Sequence, residues 1–255
     1  MTIKEKIKEL KHSRFIVNRL LFRFIRQIWQ WSQIVVDGSY RNRILTRIWY
    51  GPHYHQQVIF TAPNRYPLVF RACADYLASV KNPRILSFGC STGEEVFSIG
   101  EQIPDAQIMG VDINRWCLKQ CRKKNKNPNY SFHHRLSKEF EVASGFDAIF
   151  CMAVFQRTEN RTNNDNSVAV GFRFEQFEQE VNVLDGKLKS GGLLIVDQSD
   201  FSFTDTVCSE KYTPLVSFDR NRIVRNRPLF DKNNRKVAES QDNYRVFVKH
   251  GSLGK

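Results

Sequence analysis

The sequence predicts an α/β fold built on a mostly parallel sheet, and three observations predict it. Residues 84–112 read in unbroken succession as strand, glycine-bearing turn, helix, strand and terminal acid. Apolar strand-like runs alternating with helical ones then recur near residues 130, 146 and 193. A chain of 255 residues, 41% hydrophobic and 13% aromatic, is also long and apolar enough to bury one sizeable core.

The first 57 residues read as a basic helical segment and connector, and residues 58–255 as the α/β domain. The net charge of +13 is concentrated at the amino end, where residues 1–50 hold eleven Lys or Arg against Glu5, Glu9 and Asp37. Residues 14–36 have helical periodicity. Arg19, Arg23, Arg26, Gln30 and Gln33 form a narrow polar stripe, and residues such as Phe15, Leu20, Phe24, Ile28, Trp29 and Trp31 cover much of the rest. The longest uncharged run, Gln27 to Val36, is ten residues with three glutamines, too short and polar to span a bilayer. No signal-peptide cleavage pattern follows it. Two readings compete. The favoured one is a helix capping the sheet, since most apolar helices pack internally. The other is an amphipathic helix on an anionic membrane surface, with Trp29 and Trp31 at headgroup level. Nucleic acid fits less well, because the basic residues alternate with large apolar ones and no known binding motif is present. Residues 37–57 open on an Asp-Gly turn and read as a connector.

Phe70 to Leu77 is an apolar helix. Arg84–Phe88 alternates as a strand, and Gly89-Cys90-Ser91-Thr92-Gly93 is a small-residue turn. From Glu94 the pattern becomes helical, Pro104 stops it, and Gln107 to Val111 is a strand closed by Asp112. This is a nucleotide-binding half-fold, with the ligand over the carboxyl ends of parallel strands. A dinucleotide is disfavoured because Ser91 holds the second glycine position of G-x-G-x-x-G. Glu94 and Glu95 place negative charge where a phosphate would sit, and no Gly-Lys-Ser/Thr follows the turn. The acids suit a ligand with a ribose, an ammonium and a sulfonium but no phosphate, a description that S-adenosylmethionine (SAM) meets.

The run Gly89-Cys-Ser-Thr-Gly-Glu-Glu95 resembles motif I of class I SAM-dependent methyltransferases. It is similar in particular to the chemoreceptor glutamate methyltransferases (CheR-like), and the resemblance extends over residues 58–250. It implies a Rossmann-like sheet of seven strands with an antiparallel edge, and SAM as cofactor. The implied donor site comprises Gly89, Cys90, Ser91, Gly93, Glu94 and Asp112. Thr61 and Arg65 have the four-residue spacing of a family pair that lines the pocket, the arginine suited to the methionyl carboxylate. Arg135 and Leu136 stand where adenine contacts are expected, although the family has Asn-Leu there. Cys151, Met152 and Ala153 end the strand beginning at Phe146. The family continues Arg-Asn-Val at that point, so Met152 and Ala153 replace both polar members.

Further on, Arg115–Lys124 is helical and Tyr130–His133 a third strand. The polar stretch Gln156–Ser167 reads as a mobile substrate lid, and Phe172–Leu188 as an amphipathic helix. Lys189–Gly192 reads as a turn before the strand Leu193–Asp197. Tyr212–Phe218 and Tyr244–Lys249 would complete the sheet. Six cysteines without a C-x-x-C pair read as reduced thiols of a cytoplasmic protein. His53/His55 and His133/His134 lack further ligands at metal spacing, so no metal is expected. The expected reaction is methyl transfer to an oxygen of a small-molecule or protein carboxylate or hydroxyl. A carboxylate needs no general base; for a hydroxyl the candidates are His133, His134, Asp197 and Asp200. No residue is assigned as catalytic. The alternatives are a nitrogen or nucleic-acid methyltransferase, or a non-catalytic adaptor of this fold at a membrane or protein partner.

Overall fold

The computed structural model describes residues 13, 15–51, 56, 59–157, 160, 168–217, 229–237 and 244–250. Its contacts divide into two compact units, Met1–Trp49 and Tyr50–Lys255. In the first unit, helix α1 (Ile16–Val36) is followed after Asp37 by helix α2 (Gly38–Tyr50). The second helix corrects the connector reading of that stretch. Asp37 Oδ1 accepts the backbone N–H groups of Ser39 (2.8 Å) and Tyr40 (3.2 Å), so the Asp-Gly pair starts a helix. Arg41 Nη1 donates to the carbonyls of Ile34 (3.2 Å) and Val35 (3.3 Å), satisfying the carboxyl end of α1. Among the described residues no helix is long and apolar enough to cross a membrane.

The second unit is organised on seven strands: β1 (Arg84–Phe88), β2 (Gln107–Asp112), β3 (Tyr130–His134), β4 (Phe146–Met152), β5 (Leu188–Asp197), β6 (Tyr212–Ser217) and β7 (Tyr244–Lys249). Their order in space is β3-β2-β1-β4-β5-β7-β6. The first five are mutually parallel, and β7 runs antiparallel to both β5 and β6. Among the described residues, the α-helices that accompany them are α3 (Pro67–Leu77), α4 (Glu94–Gln102), α5 (Arg115–Lys124), α6 (Lys138–Val142) and α7 (Phe174–Lys187).

Side chains alternate across β1. Ile85 packs with Phe70 of α3, Ile99 of α4 and Leu118 of α5. Leu86 and Phe88 pack on the other face with Phe140 of α6 and with Phe177 and Leu184 of α7. Both faces are therefore covered, as a parallel sheet requires. The crossovers change face between β1 and β4, which makes the carboxyl ends of those two strands the topological switch point.

The stretch Lys189–Gly192, expected as a turn, lies within β5. Phe146 pairs with Leu188 and Ala148 with Leu193, so the extra residues form an irregularity, with Gly191 at φ +76°. Helix α6 was not foreseen. Ser137 Oγ caps its start, and Lys187 Nζ donates to the carbonyls of Phe140 (2.8 Å), Glu141 (2.8 Å) and Ala143 (2.9 Å). A distant lysine thus satisfies carbonyls that a five-residue helix cannot pair internally. Nearby, the Cβ position of Gly186 in α7 meets open space. Gly186→Ala is expected to stabilise the protein by about 0.5–1 kcal/mol. A thermal melt should detect the rise, with SAM binding unchanged.

Candidate functional site

The turn after β1 is held in left-handed conformations, with φ +84° at Gly89, +49° at Ser91 and +96° at Gly93. A Cβ on Gly89 would stand 2.6 Å from Val154 Cγ2, and one on Gly93 would stand 3.0 Å from Phe97 Cε2 and 3.2 Å from Cys121 Sγ. The positive φ and the protein's own neighbouring side chains therefore impose both glycines.

Asp112 fastens this turn to the end of β2. Its Oδ2 accepts from Ser91 N (2.8 Å) and its Oδ1 from Asn114 N (2.7 Å). Each oxygen keeps acceptor capacity for a further donor. Burial pushes the carboxyl up to about 6, against the opposing effect of the backbone N–H groups of Asn114, Ser91 and Ile113.

The two glutamates at the start of α4 take different environments. Glu94 pairs with Lys124 Nζ and accepts from Thr92 Oγ1 (2.6 Å). Burial raises its pKa, but those partners outweigh it and hold the carboxyl below its ordinary value. Glu95 instead points to Ser87 Oγ at 2.7 Å. Burial pushes it up to about 7, with the Ser87 hydrogen bond and the Arg65 charge only partly opposing. The sequence reading counts Glu95 among the acids that suit the ligand but leaves it out of the implied donor site. The available signal was Ser87, the one polar side chain among the buried residues of β1.

The segment carrying Thr61 and Arg65 is laid over this turn. Ser91 Oγ donates to the Ile59 carbonyl (3.0 Å), and Asn64 N donates to Ser98 Oγ of α4 (2.8 Å). The Arg65 guanidinium lies over the rings of Phe60 (5.5 Å) and Tyr66 (5.1 Å), and its charge reaches Glu95. Thr61 is half-buried. Cys90 is buried, and a hydrogen bond with Cys121 together with burial pushes its thiol far up, so this position offers backbone and not thiolate chemistry.

Arg135 and Leu136 diverge. The Arg135 backbone N–H donates to the Asp112 carbonyl (3.0 Å), but its side chain turns inward to Glu180 Oε2 of α7 (2.8 Å). It lies over the rings of Phe88 (5.5 Å) and Phe140 (4.9 Å). Leu136 is exposed. At the end of β4, Cys151 and Met152 are buried, and Ala153 is left-handed at φ +58°. The Ala153 N–H donates to the Asp197 carbonyl (2.8 Å), while its own carbonyl accepts from Gln156 Nε2 (2.7 Å) and Gln56 Nε2 (3.3 Å). Val154 then seats against Gly89, so the segment after β4 meets the turn after β1.

Three of the candidate bases are engaged. His134 Nε2 lies 3.0 Å from the Ile113 carbonyl, and its Nδ1 accepts from Leu136 N at 3.3 Å, an arrangement of the neutral ring. Burial lowers the pKa of His134, and also that of His133. Asp197 pairs with Arg245 at 2.9 Å. Asp200 Oδ2 accepts from Arg157 N (2.8 Å) and Asn160 Nδ2 (2.9 Å), which ties down the start of the expected mobile loop. Gln156 is buried there, and Arg157 donates through Nε and Nη2 to the Gly171 carbonyl. Arg161 and the rest of that stretch to Ser167 lie outside the described residues, as do His53 and His55. Among the described residues no cluster of three or more metal-ligating side chains occurs.

Residues 85–165 match the family model described as a methyltransferase domain. That stretch, which holds the turn after β1 and strands β1 to β4, is therefore similar to methyltransferase domains. Solved structures similar to the chain include the plantazolicin methyltransferase BpumL in complex with SAH. It is 19% identical over 76% of this chain and 61% of that one, with a TM-score of 0.37. The bifunctional kinase-methyltransferase WbdD is 16% identical over 80% and 42%, at 0.44. PKMT2 from Rickettsia typhi, in complex with AdoHcy, is 23% identical over 54% and 25%, at 0.37. The chain thus spans less than two thirds of the length of each. The residues around the turn after β1 fit SAM. Two half-buried carboxylates, Glu95 and Asp112, have pKa values raised by desolvation that nearby positive charge does not offset. A sulfonium and an ammonium would supply that charge, and the remaining acceptor capacity of Asp112 suits ribose hydroxyls. Arg65, Glu95, the Gly89–Gly93 turn and Asp112 would hold SAM, which when bound supplies an electrophilic methyl group.

Proposed function

We propose that the protein transfers the methyl group of SAM to an oxygen, and that the acceptor is a carboxylate. The observation that carries this reading is the engagement of His134, Asp197 and Asp200 in contacts that hold the fold together. A hydroxyl must lose a proton during transfer, whereas a carboxylate is already ionised at neutral pH. The chain's own task is then to hold the acceptor in line and exclude water. The likeness of the Gly89–Glu95 run to the chemoreceptor glutamate methyltransferases supports the same acceptor class. All six cysteines are buried and unpaired, which supports a reducing, cytoplasmic setting.

Arg157 is the candidate clamp for the acceptor anion, its guanidinium oriented by the Gly171 carbonyl. Labelled SAM incubated with cell extract and the protein is expected to yield a methyl ester that mild alkali releases. Arg157→Glu should lower turnover more than SAM affinity. Label that survives alkali would indicate an ether or N-methyl product and reject the carboxylate. Tight SAM binding without transfer to any acceptor would favour a non-catalytic adaptor.

A further inference from the structure

We propose that helix α1 docks the protein on an anionic lipid surface. This inference stands apart from the identity of the methyl acceptor. On the 21-residue helix, Leu20, Phe24, Ile28, Trp31 and Val35 follow one another at steps of three or four and so form a single stripe. Every member is exposed, at 54%, 60%, 54%, 66% and 74% respectively. Phe22 and Ile25, elsewhere on the helix circumference, are only half-exposed. A contiguous line of large exposed apolar side chains marks an interaction surface, unlike scattered single ones.

The charges beside the stripe select the occupant. Arg19 and Arg23, one helical turn apart, run along one border, with Arg26 further round. Between residues 15 and 49 there are six arginines and one acid, Asp37, which is engaged in capping α2. An acidic lipid surface supplies both counterparts, acyl chains for the stripe and negative headgroups for the arginines. A second copy would bring like-charged borders together, and a nucleic acid offers nothing for the apolar stripe.

The test uses the full chain and sedimentation with phosphatidylcholine vesicles, with and without phosphatidylserine. Wild-type protein is expected to sediment with the anionic vesicles only, and less as salt rises. Replacing Arg19, Arg23 and Arg26 together by Gln should weaken binding by roughly a hundredfold, about fivefold for each arginine. Leu20→Gln, Phe24→Gln and Ile28→Gln combined should abolish it. Helix content by circular dichroism and the melting shift induced by SAM should be retained in both variants, separating loss of docking from misfolding. Absent or equal binding to both vesicle types overturns the proposal. So does a wild-type dimer that the stripe variant converts to monomer without any vesicle binding.

Discussion

Glu95→Gln is expected to weaken SAM binding and to remove part of its dependence on pH. In the fold Glu95 is pushed up from 4.5 to about 7, and Asp112 from 3.8 to about 6. For such raised carboxyls the folded protein holds protons that the unfolded chain has released. Their contribution to stability is complete below the unfolded values and is lost as pH rises through 6 and then 7. A cationic ligand selects the ionised forms, so SAM affinity should change in the opposite sense and rise with pH up to about 7. Each group that titrates on binding contributes roughly tenfold per pH unit. The slope should therefore be shallow between pH 6 and 7 and steeper below 6, where both groups take part. In Glu95→Gln the rise should end near pH 6, set by Asp112 alone. At pH 7.5 the affinity should be lower by about 1–3 kcal/mol, the scale of a lost hydrogen bond to a charged group. Calorimetry in two buffers of different ionisation enthalpy would count the released protons. Affinity that does not vary between pH 5.5 and 7.5 would show that neither carboxylate faces the cation.

Gly89→Val is expected to abolish SAM binding and to destabilise the fold by about 3 kcal/mol or more, summing overpacking and a left-handed β-branched residue. The added Cβ would stand 2.6 Å from Val154 Cγ2 and 2.8 Å from Val154 Cβ, at a φ of +84°. For a domain of this size the melting temperature should fall by roughly 6–12 °C. Adding Val154→Gly relieves the steric part but not the backbone part, so the double variant should recover some stability and remain below wild type. That coupling is what a double-mutant cycle measures. Unaltered melting of the single variant would mean that Val154 yields freely and that the turn is not fixed by its neighbours.

The sheet was legible because its strands carry strong local signals. Phe146–Met152 is almost continuously apolar, as a strand buried on both faces must be, and Gly89 and Gly93 bracket a turn that strand and helix patterns already delimit. What was not legible depends on partners distant in sequence. Glu94 and Glu95 are indistinguishable as neighbours in the chain. Only Lys124 and Ser87, from α5 and β1, draw one to a surface pair and the other to a buried hydroxyl. Arg135 read as an adenine neighbour from its place after β3, yet Glu180, 45 residues later, draws its guanidinium inward. Helix α6 depends on Lys187 in the same way. Two adjacent glycines suggested a turn at Lys189–Gly192, but pairing with β4 keeps that stretch in the sheet.

The position of β7 bears on how the chain reaches this state. Among the described strands, β6 pairs with β7 alone, and β5 has β7 on one side, although β7 is the latest of the three in sequence. During synthesis the parallel part of the sheet can assemble as soon as Asp197 has emerged, leaving the outer edge of β5 bare. Tyr212–Ser217 then has no strand to join until Tyr244–Lys249 arrives between them. Across that interval the nascent chain presents an apolar strand edge to any other strand it meets, the template for intermolecular pairing. In the folded protein it is the pairing of β7 with both β5 and β6 that closes this edge.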